Sequence, residues 1–141
     1  MKRLFVVSTV IVLFVIAFSC EGGNSTLEVD CSNCFVQEPD SFDLITSLSI
    51  SDGLYDSAFV QFYKGRIESE DLSWEGMVYT QEFLHFVPVN EYYSVKATYT
   101  KDGKSVVAVD GDRMVSRYIA DACDSDCWIV KGQYRDVRLK Y

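Results

Sequence analysis

Tyr93-Ser94-Val95-Lys96-Ala97-Thr98-Tyr99-Thr100-Lys101-Asp102-Gly103-Lys104-Ser105-Val106-Val107-Ala108-Val109 decides the fold. Side chains alternate across a strand, so Tyr93, Val95, Ala97 and Tyr99 share one face and Ser94, Lys96, Thr98 and Thr100 the other. Asp102-Gly103 supplies the positive φ values that a tight hairpin turn needs. Ser105 to Val109 is the return strand, and Asp110-Gly111-Asp112 reads as its end.

The same period of two extends outward. Phe42, Leu44, Thr46, Leu48 and Ile50 alternate with Asp43, Ile45, Ser47 and Ser49 until Ser51-Asp52-Gly53 breaks the run. Ala58, Val60 and Phe62 line one face of a second strand ending near Gly65. Glu68 to Glu75 is acidic and reads as a connection. Phe83 to Val89 is a strand whose Pro88 suits an end or an edge. Met114 to Ile119, Trp128 to Val130 and Val137 to Tyr141 complete the set. No long stretch beyond the first 20 residues carries a 3.6-residue apolar period. The expectation is all-β: a single antiparallel β-sandwich of about seven or eight strands, Ig-like or prealbumin-like, over residues 41–141.

Three segments carry a resemblance: Val60-Gln61-Phe62-Tyr63-Lys64-Gly65, then Val87-Pro88-Val89-Asn90-Glu91-Tyr92-Tyr93-Ser94-Val95-Lys96-Ala97-Thr98-Tyr99, then Asp136-Val137-Arg138-Leu139-Lys140-Tyr141. Their order resembles small Gram-negative bacterial lipoproteins with a prealbumin-like (carboxypeptidase-regulatory-like) sandwich. The resemblance covers most of residues 40–141. It implies a β-sandwich in a cell-envelope setting and brings no catalytic residues.

The chain opens as an export signal. Lys2 and Arg3 precede an uncharged, mainly apolar run from Leu4 to Phe18. That run is shorter than the about 20 residues a spanning helix needs, and it fits a cleaved signal peptide over residues 1–19. Ser19-Cys20 resembles the end of a lipobox, although Ala17 and Phe18 depart from its strict form. Ala17 and Ser19 would also suit ordinary signal peptidase. The lipoprotein reading makes Cys20 the lipid-bearing residue, with acyl chains such as palmitate as the anchor. Residues 20–40 then form a polar, Gly-containing tether carrying the first cysteine pair.

The signal holds two of the 13 basic residues and none of the 21 acidic ones, so the exported chain sets 11 basic against 21 acidic side chains, a net charge of −10. Such a surface repels phosphate backbones, which argues against nucleic acid as a partner.

Five cysteines are present; setting Cys20 aside leaves Cys31, Cys34, Cys123 and Cys127. An even set in an exported chain suggests disulfides, within each cluster or between them. A four-thiolate zinc site and a redox-active Cys31-Ser32-Asn33-Cys34 are the alternatives. His85 is the one histidine, placed in an apolar strand without a recognisable nucleophile or metal motif around it. Asp110, Asp112, Asp121, Asp124 and Asp126 are candidate cation ligands in turns, but they lack the closing Glu of an EF-hand. Trp74, Tyr79 and Tyr92 are candidate ligand-facing aromatics.

The functional expectation is a non-enzymatic lipoprotein of the cell envelope, placed in the outer membrane and periplasmic or surface-facing, with no cofactor and no resident metal. Its partners would be the membrane, through the anchor, and other envelope proteins. The alternative is a lipoprotein that binds a glycan or small ligand.

Overall fold

The computed structural model describes residues 31–50, 55–121 and 125–140. The chain forms eight strands: β1 (Ser41–Ser47), β2 (Ala58–Lys64), β3 (Leu72–Val78), β4 (Glu82–Pro88), β5 (Glu91–Lys101), β6 (Lys104–Ile119), β7 (Cys127–Lys131) and β8 (Tyr134–Asp136). They make two sheets, one of three strands in the order β4-β1-β8 and one of five in the order β3-β2-β5-β6-β7. The all-β sandwich expected from the alternation is the observed fold. All pairings are antiparallel except β1 with β8, where Ile45, Thr46 and Ser47 run parallel to Tyr134, Arg135 and Asp136.

The hairpin that anchors the reading is β5–β6. Asp102 and Gly103 have φ of 52° and 72°, and Lys101 pairs with Lys104 across them, a two-residue turn of type I′. The apolar face of β5 is the centre of the core: Tyr93, Val95, Ala97 and Tyr99 are all buried. They meet Leu44 of β1, and Val60 and Phe62 of β2, in one apolar cluster. Full burial of side chains this size stabilises by roughly 1.5–3 kcal/mol each before entropy is counted.

Both core tyrosines keep their hydroxyls paired, as buried polar groups must. Tyr93 Oη donates to the Pro88 carbonyl at 2.9 Å. Tyr99 Oη donates to the Val137 carbonyl at 2.8 Å and accepts from Ser49 N at 3.2 Å. The two sheets are thus joined by hydrogen bonds as well as by apolar contact.

Arg135, on β8, is buried at 1% exposure. Its guanidinium donates to four backbone carbonyls: Tyr93 at 3.2 Å, Gly132 at 2.9 Å, Tyr134 at 2.7 Å and Asp112 at 2.6 Å. Burial pulls its pKa below the ordinary arginine value, while the nearby Asp110 and Asp112 oppose that pull. This one side chain bridges the β5–β6 ladder and the β7–β8 connection.

Three elements differ from the expectation. The acidic segment read as a connection from Glu68 to Glu75 is one only as far as Asp71: after a 3₁₀ turn at Ile67–Ser69, β3 begins at Leu72 and forms the edge of the larger sheet. An edge strand keeps its acids in water, as Glu75 does while accepting from Gln61 at 3.0 Å. Asp110-Gly111-Asp112 ends nothing, because β6 runs through it without a break. The final strand among the described residues is Tyr134–Asp136; of the strand expected over Val137 to Tyr141, residues 137–140 are not strand and Tyr141 lies outside the described residues. Beyond β8 the chain is still held, by Val137 N to the Ser47 carbonyl at 3.1 Å and Leu139 N to Ser49 Oγ at 2.9 Å.

Candidate functional site

Cys34 and Cys127 form a disulfide with their Cα atoms 5.5 Å apart, joining positions 93 residues distant in sequence. Cys127 opens β7 and is buried. The next residues continue the junction: Phe35 N donates to the Trp128 carbonyl and Trp128 N to the Phe35 carbonyl, both at 2.8 Å. Phe35 then meets Phe42 edge-on at 5.6 Å, and Trp128 meets Tyr118 at 5.5 Å. The packed unit therefore reaches back to Cys34, ahead of the expected boundary at residue 41.

Of the pairings left open by sequence, the one between clusters is realised for Cys34 and Cys127. Their sulfurs are consumed by the bond, which removes both from the four-thiolate zinc and the Cys31–Cys34 redox readings. Cys31 is itself disulfide-bonded. Cys123 and the lipidation candidate Cys20 lie outside the described residues, as does Asp124.

The remaining acids serve the backbone. Asp110 accepts Gly111 N at 2.8 Å through Oδ1 and Asp136 N at 2.7 Å through Oδ2. Asp112 accepts Arg113 N at 2.7 Å. Asp126 accepts the Tyr118 hydroxyl at 2.5 Å and Asp121 N at 3.1 Å; the tyrosine hydrogen bond, then the backbone one, holds its carboxyl below the usual range. Asp136 is gripped by Arg138, Nε to Oδ1 at 2.8 Å and Nη2 to Oδ2 at 3.0 Å, which lowers its pKa to about 2. Among the described residues, no group of three or more His, Cys, Asp or Glu is placed to hold a metal ion.

His85 sits in an aromatic cluster. Its ring lies 4.8 Å from Phe62 and 6.0 Å from Trp74, and Trp74 stacks on Phe83 at 4.8 Å. Burial lowers its pKa below the ordinary value. Among the described residues no carboxylate hydrogen-bonds its ring, so nothing orients it as a general base.

The three candidate aromatics are not brought together. Trp74 is half-buried, its ring inside the sandwich against Phe62 and Phe83. Tyr79 is exposed in the β3–β4 connection. Tyr92 lies on the outer face of the five-stranded sheet, so close over Gly111 that a Cβ there would come within 3.0 Å of its hydroxyl. A shallow cleft of about 260 Å³ opens beside Tyr92, lined also by Arg66, Glu68 and Val109. A second, about 280 Å³, lies between Ser47, Gln81, Glu82 and Arg138. Both fall below the roughly 300–1,000 Å³ of ordinary small-ligand pockets.

A surface that sequence reading passed over is the outer face of the three-stranded sheet. Ile45 pairs with Leu84 on one side and Tyr134 on the other, and Phe86 stands beside this row on β4. Leu84, Phe86 and Tyr134 are all exposed. The alternation of β4 contained the signal, because Leu84 and Phe86 occupy the face opposite Phe83 and Val87. No family model, curated protein or solved structure matches the chain.

Proposed function

We propose that this is a non-enzymatic lipoprotein of the bacterial cell envelope, held to a membrane through Cys20, whose sandwich acts as a structural or protein-interaction module. The observation that carries the interaction reading is the apolar row Leu84–Ile45–Tyr134 with Phe86, laid on an otherwise acidic molecule. Contiguous exposed apolar surface of this kind marks contact with another macromolecule. The export reading is supported by the Cys34–Cys127 disulfide, a bond that persists in oxidising compartments. Shallow clefts and the dispersal of Trp74, Tyr79 and Tyr92 favour a protein partner over a glycan. His85, packed among aromatic rings, gives no support to an enzyme.

One experiment tests both halves. The full chain is expressed in a Gram-negative host with labelled palmitate and a photo-crosslinking amino acid at position 86. Label is expected on the protein and is lost in Cys20→Ala; unchanged label removes the anchor. A discrete protein adduct is expected at position 86 and not from the same probe at the exposed Glu70. Equal adducts at both positions, or none at either, remove the interaction reading.

A further inference from the structure

The outer edge of β6 divides into three stretches. β7 covers Val115–Ile119. Next, Gly111 N and Arg113 N are each capped by the carboxylate of the residue before, Asp110 at 2.8 Å and Asp112 at 2.7 Å. From Ser105 to Val109, no strand lies alongside among the described residues. The hairpin fixes which backbone groups face that edge. In a two-residue hairpin the pair flanking the turn is hydrogen-bonded, and bonded and non-bonded pairs alternate from there. Starting from Lys101 with Lys104, Val106 and Ala108 direct their N–H and C=O groups at β5. Ser105, Val107 and Val109 direct theirs outward, in phase with the capped Gly111 and Arg113.

We propose that Ser105–Val109 is a strand-pairing site whose occupant is the same stretch of a second copy of this chain, antiparallel about a two-fold axis at Val107. This deepens the interaction-module reading by naming a partner, at an edge separate from the apolar face around Phe86. An axis at Val107 sets Ser105 against Val109 of the second copy and Val107 against its mate, so all three outward residues bond. Moving the axis to Val106 brings Gly103 of the turn opposite Val109. Moving it to Ala108 brings Gly111, whose N–H is already taken, opposite Ser105. The Val107 register also places Lys104 opposite Asp110 of the second copy at both ends, a favourable cross-strand charge pair. Val107 further belongs to an outer-face row with Thr98, Phe59 and Met77, which the two-fold would join to its counterpart. The other edges are each marked differently: β4 ends in Pro88, β8 is three residues long, β3 carries the charged Glu75, and β7 is met by Phe35 at Trp128. Ser105–Val109 has neither charge nor proline. The contact is short, in the class of weak and reversible interfaces.

The test uses the exported chain from residue 20 with Cys20→Ser, so that neither a lipid nor an extra thiol drives association. Sedimentation velocity from about 5 µM to about 1 mM is expected to move from monomer toward dimer. Val107→Pro deletes the central outward N–H at an edge position that tolerates proline, and Val107→Lys sets two ammonium groups face to face. Each is expected to weaken association about tenfold or more, corresponding to two lost hydrogen bonds or a like-charge pair. Circular dichroism of each variant at low concentration checks the fold, and Val107→Lys decides the matter should the proline variant unfold. A monomer across the whole range, or a dimer unaffected by Val107→Lys, overturns the proposal. Either result leaves the position-86 crosslink standing, so the two readings fail separately.

Discussion

Arg135→Met keeps most of the side-chain volume while removing a guanidinium that four carbonyls share. Two of those carbonyls, Tyr93 and Asp112, face each other in the β5–β6 ladder and keep a backbone partner there. The other two, Gly132 and Tyr134, lose their donor at part-buried hydrogen bonds. A buried acceptor stripped of its donor costs about 1–3 kcal/mol; partial access to water puts this pair toward the lower end, about 2–4 kcal/mol together. Releasing the desolvation of a buried cation, the effect that pulls the Arg135 pKa down, returns part of this. A net loss of about 2 kcal/mol is expected. For a domain near 100 residues that is a fall of roughly 8–16 °C in melting temperature. Urea unfolding followed by circular dichroism should show a lower midpoint at unchanged slope. Arg135→Lys, which retains charge but not the planar fork, should fall between wild type and methionine. The exposed Arg138→Met should cost no more than about 1 kcal/mol. A loss below about 1 kcal/mol in Arg135→Met would refute the argument that this side chain ties the two strand pairs together.

Two further outcomes follow from the same geometry. Replacing Cys34 and Cys127 together by alanine should cost about 2–4 kcal/mol in thermal or urea unfolding, with the lower figure expected while the bridge at Cys31 still shortens the unfolded chain; a peptide map without reduction should join Cys31 to Cys123, and a Cys31–Cys20 link would contradict it. His85 titrates lower in the folded protein than its ordinary value of about 6.5, so below that pH the unfolded chain takes up a proton that the fold resists, and stability declines as pH falls. His85→Phe should lessen the drop in urea midpoint between pH 7.5 and 5.5, and an equal drop in both proteins would remove the role assigned to burial of the ring.

The sequence carried the hairpin almost to the residue, because alternation and an Asp-Gly turn are both local properties. Its failures came where partners decide. Asp110-Gly111-Asp112 looks like a turn by composition, yet the carboxylates satisfy N–H groups along a continuous strand and Asp110 also reaches Asp136. β3 was obscured by the acids on its approach, Glu68, Glu70 and Asp71, and by Glu75 within it, which an edge tolerates. Trp74 resembled a ligand platform until Phe62 and Phe83 were placed around it. Arg135 gave no sign of its burial, since four carbonyls from three strands and a turn must converge before a guanidinium is welcome there. The cysteine pairing was open for the same reason: which sulfurs meet depends on how the first strand lies beside the last.

That pairing also sets how the domain would carry force. If the chain is held at Cys20 and pulled at its far end, tension meets the bridge at Cys31 first, and the Cys34–Cys127 bond next carries it covalently into β7. Everything between those two cysteines, β1 through β6, lies off the load path. Such a pull would leave Leu84, Phe86 and Ser105–Val109 unloaded. Reduction of both bridges would reroute the pull through the Phe35–Trp128 backbone pair and then into β1 of the small sheet.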